Sequence, residues 1–377
     1  MKILKKVALF LSIPVLYVFL TLSTLFRSRR YRGELKSKVW YEFYPEGLID
    51  SRGRPSPFYF RKGIGNKLLV FLCGGGVSWS EESAARPMSI PSMMLGTTTY
   101  YTPKVYRFMR VFFTGILADK PENPFRDWNV IYIPYVTGDF HLGDNEFPYT
   151  DRKGRHRLIH HKGEGNTRII MDMCRELFPE QETVLVCGDS AGAFGAVGNA
   201  PIVAEYYPDV PVTVYSDASQ IIVPLWRRTA GQVWRVREKM LAKMEEEGDL
   251  YHDLIQYASA EIGKRAVFLR SNTLYDDVLI QFGSTLQGGA HEATPEAMQY
   301  YFESLRRTEK RLAESPLPYY AFVTSHNKNE KTGLTQHTMA RSEKSFYHKD
   351  DVGISLCQWL LDAVDGTCRS VGCDALE

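Results

Sequence analysis

The chain has 377 residues, 44% of them hydrophobic and 24% charged, with a formal net charge of +2 at pH 7. That length buries a large core, as one enlarged α/β domain or as two domains, and the composition is that of an ordinary folded protein. A near-neutral balance with no long basic block outside the N-terminus points away from nucleic acid as a partner.

The first element in chain order is an uncharged run over residues 7–26. At a rise of about 1.5 Å per residue it spans roughly 30 Å, one bilayer core. Lys2, Lys5 and Lys6 precede it, and Arg27, Arg29, Arg30 and Arg32 follow. Arginines crowding its end, without a small-residue cleavage site, favour an uncleaved anchor over a secretory signal. The expectation is a single-pass membrane helix with basic flank in residues 1–32, and one enlarged domain over 33–377, extracytoplasmic or lumenal. Basic residues on both flanks leave the orientation of the anchor open.

Residues 67–73 form a continuous apolar run and predict a buried strand. Residues 77–118 hold Pro87, Pro91, several Met and Tyr and no clear period, and read as an insertion over the sheet, a candidate lid. Strands are then predicted at 129–134, 183–187, 212–216, 266–270 and 318–324. Helices are predicted at 166–177, from Ser190 to about Tyr207, and at 234–248, 295–313 and 352–364. Strands alternating with helices predict a mostly parallel central sheet with helices on both faces. Six cysteines (Cys73, Cys174, Cys187, Cys357, Cys368, Cys373) show no zinc-ligand spacing, so no metal is expected. Cys187, inside a strand, reads as a small buried hydrophobe. Cys368 and Cys373 are spaced to close a small loop in an oxidising compartment.

The densest chemical signal is Gly188-Asp189-Ser190-Ala191-Gly192, at the end of a β-branched run and before a stretch of small residues. It is the pattern of a strand turning sharply into a helix with a serine at the turn. The flanking glycines answer a need for positive φ or for close backbone approach, and the helix N-terminus offers free N–H groups to an anion. A serine hydroxyl needs a base to take its proton and a third group to orient that base. On such folds the chain order is serine, acid, histidine. Asp217, Asp276 and Asp277 qualify as the acid, and His326, His337 and His348 as the histidine; order alone leaves them open. Gly74-Gly75-Gly76 follows the first strand, where the second half of an oxyanion-binding loop belongs.

Taken together, Cys73-Gly74-Gly75-Gly76, Asn123-Pro124-Phe125-Arg126-Asp127-Trp128-Asn129, Ile133-Pro134-Tyr135-Val136-Thr137-Gly138-Asp139 with His141, and the Ser190 turn resemble the pectin acetylesterase family, which includes Notum-like carboxylesterases. Tyr275-Asp276 resembles that family's acid position and Gln336-His337-Thr338 its histidine. The resemblance implies an α/β-hydrolase fold and a serine carboxylesterase with Ser190, Asp276 and His337 as triad. It implies an oxyanion hole from the N–H groups of Gly76, Val77 and Ala191, and no cofactor. The implied substrate is an ester, foremost O-acetyl on a glycan; the alternatives are a lipid-directed acyl hydrolase and a non-catalytic binding protein on a hydrolase scaffold. Asp277 stays beside Asp276 as a rival acid. Asp217 reads as structural, Asp189 as shaping the turn, His326 as bonded within its loop, and Asp139 and His141 as braces of the cleft wall. Relatives carry cysteines where this chain has Ser78 and Val136, which implies that disulfides of the relatives are missing here.

Overall fold

In the computed structural model, residues 28–95, 97–106, 113–349 and 352–377 are described. The expected membrane span at 7–26 lies outside them, and among the described residues no helix is long and apolar enough to cross a membrane.

A nine-stranded sheet organises these residues. Its strands are β1 (Arg29–Arg30), β2 (Trp40–Phe43), β3 (Phe58–Arg61), β4 (Lys67–Leu72), β5 (Asn129–Ile133), β8 (Thr183–Asp189), β9 (Val212–Asp217), β10 (Ala266–Thr273) and β11 (Tyr319–Thr324). They lie side by side in the order β1-β2-β3-β5-β4-β8-β9-β10-β11. A separate antiparallel hairpin pairs β6 (Asn145–Thr150) with β7 (His156–His161). From β5 across to β11 every pairing is parallel. The near-continuous burial of β4, β5 and β8 is what a sheet covered on both faces requires. β2 and β3 extend it antiparallel, two strands additional to the predicted set. Aromatic residues in alternate positions pair there across strands, Tyr41 stacking on Phe60.

From β4 the chain steps to β5 on one side and then returns to β8 on the other. The crevice at the carboxyl ends of β4 and β8 is therefore the topological switch point, where open α/β sheets bind ligands. Register places Leu72 beside Gly188 and Asp189 beside Asp217, so the loops leaving β4, β8 and β9 start at one level.

The helix Ala191–Tyr206 is buried along nearly its whole length, and its small residues explain how. A β-carbon on Gly198 would meet Leu142 Cδ2 at 2.3 Å, and one on Gly195 would meet the Phe140 carbonyl at 2.8 Å. Glycine there lets the loop after β5 lie against the helix. The helix predicted at 234–248 is not present as such. A π-turn (Thr229–Trp234) and a single turn (Glu238–Leu241) precede Gly248, which has φ +80°, and the packed helix is Leu250–Ile262. Its N-cap is Asp249, accepting from the His252 N–H at 3.2 Å. The charged run 245–247 belongs to the turn before that cap. The helix predicted at 295–313 is observed with those bounds, capped by Thr294 with Pro295 at its first position. The last helix is Leu356–Val364, shorter than predicted at its start because the Ser355 side chain caps it there. Helix Asp277–Leu286 is an addition to the predicted set.

All six cysteines are free thiols, Cys368 and Cys373 included, and Cys187 is buried in β8 as expected.

Arg270 on β10 is fully buried against Glu309 at 3.0 Å, and its guanidinium also donates to Ser219 Oγ, the Ser219 carbonyl and Gln220 Oε1. This ties the loop after β9 to the helix Pro295–Ala313. Glu309→Gln leaves that guanidinium buried without its anion. The expected loss is about 3–5 kcal/mol, read as a lower urea midpoint at unchanged slope.

Candidate active site

Ser190 leaves β8 at the switch point and the helix Ala191–Tyr206 begins at the next residue. Ser190 itself takes the positive φ, at 53° with ψ −123°, a conformation costing on the order of 1–3 kcal/mol for a residue with a β-carbon. Its flanking glycines answer the other need. A β-carbon on Gly188 would lie 2.1 Å from the Gly192 carbonyl oxygen, and one on Gly192 would lie 2.0 Å from the Leu72 carbonyl oxygen. The turn is thus pressed against the end of β4, with Ser190 half-exposed between the buried Asp189 and Ala191. Its N–H donates to the Asp217 carbonyl at 2.7 Å.

His337 and Asp276 are brought together directly. Asp276 is fully buried, and its Oδ2 lies 2.8 Å from His337 Nδ1. Its other oxygen, Oδ1, accepts the N–H groups of Val278 and Leu279 and so caps the helix Asp277–Leu286. Among the described residues His337 Nδ1 hydrogen-bonds the Asp276 carboxylate and not that of Asp277, whose N–H donates to the Thr335 carbonyl, so Asp276 is the acid partner of the histidine. His337 remains 16% exposed. Burial opposes its charged form, but the Asp276 carboxylate, with Asp217 and Asp189 behind it, outweighs burial and raises its pKa above 6.5.

The loop carrying His337 is joined to the serine turn by two carboxylates. Asp217 Oδ2 accepts the N–H groups of Met339 and Ala340, each at 2.7 Å, and its Oδ1 accepts from Ser271 Oγ. Burial, partly offset by these donors, pushes Asp217 up to about 6. Asp189 Oδ1 accepts the Gly74 N–H at 2.7 Å, and its Oδ2 pairs with Arg341. Asp217 and Asp189 therefore have the structural roles expected of them. Arg341 carries no sequence signal: it lies in no motif, and only the folded loop brings it to Asp189.

The oxyanion loop differs from expectation at Val77. The Val77 N–H donates to the Tyr100 carbonyl at 2.7 Å, because Gly76 at φ +80° turns the chain into an antiparallel bridge with Tyr101. It is not available to a substrate oxygen. The Gly74 N–H is taken by Asp189. Among the described residues the amides of Gly75, Gly76 and Ala191 have no protein partner, and Gly75 and Gly76 are half-exposed next to the serine turn. A β-carbon on Gly74 would lie 2.8 Å from Ser190 Cβ.

Asp139 is fully buried and accepts from Thr137 Oγ1 and from the N–H groups of His141, Gly143 and Gly163. His141 donates Nε2–H to the Cys73 carbonyl at 2.9 Å, and burial lowers its pKa to about 4, so it stands neutral under the glycine loop. Both brace the wall, as expected. His326 is buried behind β11, its N–H on Thr324 Oγ1 and its ring 5.8 Å from that of His348. The insertion at 77–118 is clasped to the histidine loop at its far end, where the Ile116 N–H donates to the Ala340 carbonyl.

Comparison with known proteins bears out the family resemblance. Residues 50–222 match the family model described as Pectinacetylesterase. No curated protein matches the chain. Among solved structures, the Wnt deacylase Notum from Drosophila aligns at 18% identity with a TM-score of 0.61, covering 88% of this chain and 95% of that one. At that identity the alignment speaks to the fold. The enzyme class implied by the resemblance, a serine ester hydrolase, stands with the family match.

Two substitutions probe this geometry. Gly192→Ala sets a methyl against the Leu72 carbonyl and is expected to cost about 3 kcal/mol or more, seen as a lower melting temperature. Asp276→Asn keeps the helix cap through Oδ1 but turns an amide toward His337 Nδ1. The imidazole then adopts the tautomer with its proton on Nε2, where it cannot accept another. kcat is expected to fall about 10⁴-fold with the circular dichroism spectrum unchanged.

Proposed function

We propose, from a serine ester hydrolase whose residues 50–222 match the pectinacetylesterase family, that this protein removes acetyl groups from hydroxyls of a glycan through Ser190, His337 and Asp276. The observation that carries this reading is the Asp276–His337 pair at the sheet edge where Ser190 turns out of β8.

In this reading His337 Nε2 takes the Ser190 proton as Oγ attacks the ester carbonyl, while Asp276 Oδ2 holds the Nδ1 proton and stabilises the imidazolium. Negative charge gathers on the former carbonyl oxygen. The amides of Gly75, Gly76 and Ala191 are its donors, the last reinforced by the helix N-terminus. Collapse breaks the bond to the sugar oxygen, which leaves with the proton from His337. Water then attacks the acyl carbonyl as His337 takes its proton, and collapse breaks the bond to Ser190 Oγ, which regains that proton from His337 as acetate leaves. No step calls for a metal or cofactor. Residues 7–26 act as a single-pass anchor that holds one enlarged domain, residues 33–377, outside the cytoplasm or in a lumen. The alternative is a lipid-directed hydrolase acting on a long acyl chain; the structurally similar Notum is named as a Wnt deacylase.

A fluorophosphonate probe tests the nucleophile. Wild type is expected to label and Ser190→Ala to lose both labelling and turnover while unfolding at the same temperature; an unlabelled wild type would point to a binding protein on a hydrolase scaffold. A panel of p-nitrophenyl esters tests the acyl group, with acetate expected to exceed octanoate by about tenfold or more and the reverse order supporting the long-chain reading. Because His337 must be neutral to accept a proton and its pKa is raised, kcat/KM is expected to climb with pH through a midpoint above 6.5, not below it.

A further inference from the structure

Asp189 closes β8 immediately before Ser190, and its side chain is almost wholly buried. One carboxylate there joins three loops. Oδ1 accepts the Gly74 N–H from the loop after β4, Oδ2 pairs with Arg341 from the loop after β11, and the residue itself is the base of the serine turn. The Arg341 guanidinium lies 5.7 Å from the centre of the Phe71 ring, under the end of β4.

The backbone around Arg341 is held without its side chain. Asp217 takes the N–H groups of Met339 and Ala340, and the carbonyls of Ala340 and Arg341 accept from the Ile116 N–H and Thr114 Oγ1. Removing the guanidinium therefore leaves the loop's own bonds in place. What it removes is the strut between that loop and Asp189, and the counter-charge of a carboxylate close to the amides of Gly75, Gly76 and Ala191. An uncompensated anion there opposes the negative charge that forms on the tetrahedral intermediate.

Resting on the hydrolase reading above, we infer that the Asp189–Arg341 ion pair is a positioning device for ester hydrolysis. It sets the glycine loop, the Ser190 turn and the His337 loop at fixed separations, and it cancels a buried charge beside the forming oxyanion. Neither residue touches substrate; both act through the groups that do.

Three variants separate positioning from mere stability. Arg341→Met alone strands a buried carboxylate and is expected to lower the melting temperature, so it is paired with Asp189→Asn. In the double variant no charge is buried unpaired, and the side-chain amide oxygen introduced by Asp189→Asn still accepts from the Gly74 N–H. This protein is expected to melt within a few degrees of wild type, with KM for p-nitrophenyl acetate within about twofold and kcat down about tenfold to a hundredfold. Arg341→Lys keeps the charge but not the planar donor geometry, and its kcat is expected to fall between those of wild type and the double variant. A readout that needs no turnover is amide hydrogen exchange over 335–342 and at Gly74, expected to quicken about tenfold in the double variant. Exchange decides the strut even if Ser190 proves not to be a nucleophile. A double variant with wild-type exchange, or with wild-type kcat in a labelling-competent enzyme, overturns the inference.

Discussion

A carboxylate taken out of water must find donors for its lone pairs, and at the carboxyl edge of this sheet Asp139, Asp189, Asp217 and Asp276 find them in neighbouring loops. Each ends or follows a strand, and each reaches across to a segment distant in sequence. Asp217 on β9 holds the backbone of Met339 and Ala340, Asp189 on β8 holds Gly74 and Arg341, and Asp276 after β10 holds His337. Asp139 after β5 gathers the amides of Gly143 and Gly163. A parallel sheet supplies the convergence of loops at one edge, but not their spacing. The spacing comes from these short, directional contacts, which tolerate little displacement before a buried charge loses its partners.

That rigidity is what allows a strained serine to persist. Ser190 holds φ at 53° because its N–H is fixed by the Asp217 carbonyl, and because the backbone of Gly192 is packed against Leu72 with no room for a β-carbon. The strain is small beside the packing of the buried helix behind it, whose small residues admit Phe140 and Leu142 so closely. Asp276 does double duty on the acid side. One oxygen caps a helix and the other orients an imidazole, so the helix start and the histidine tautomer depend on a single rotamer.

The parts of this design that are local are the ones legible in the sequence. Parallel strands declare themselves as apolar runs, which marks β4, β5, β8, β9, β10 and β11, and the serine turn is marked by its two glycines. The short aromatic strands β2 and β3 are not legible, because four residues, one buried in β2 and all four in β3, are too few to show a strand period. The helix start at Leu250 is obscured although Gly248-Asp249 marks it, because the charged run before it has a helical look of its own. Through-space pairings are legible only by resemblance. Residue order allows Asp217, Asp276 or Asp277, and three histidines, since nothing local says which loop bends toward which. Val77 fails as an oxyanion donor for a related reason: its amide is claimed by Tyr100, a distant partner set by the folding back of the insertion. Arg341 lies outside any motif because its role is defined by a neighbour in space alone.

The two positions where the family resemblance puts cysteines in relatives illustrate how such ties are made without covalent bonds. Ser78 donates its N–H to the Gly138 carbonyl at 2.7 Å, and its own carbonyl accepts the Trp234 indole N–H at 2.7 Å. The Val136 carbonyl accepts the Ser51 N–H at 2.8 Å. These bonds join the glycine loop, the loop after β5 and the segment before the helix Glu238–Leu241, around the same wall that Asp139 and His141 brace. A disulfide stabilises chiefly by restricting the unfolded chain, whereas these bonds act on the folded state alone. A wall built this way gains its order from burial, since each bond is worth most where water is excluded. The Trp234 ring is itself fully buried, packed beside Phe140 and Trp226, so the aromatic cluster that shields the bonds also carries one of their donors.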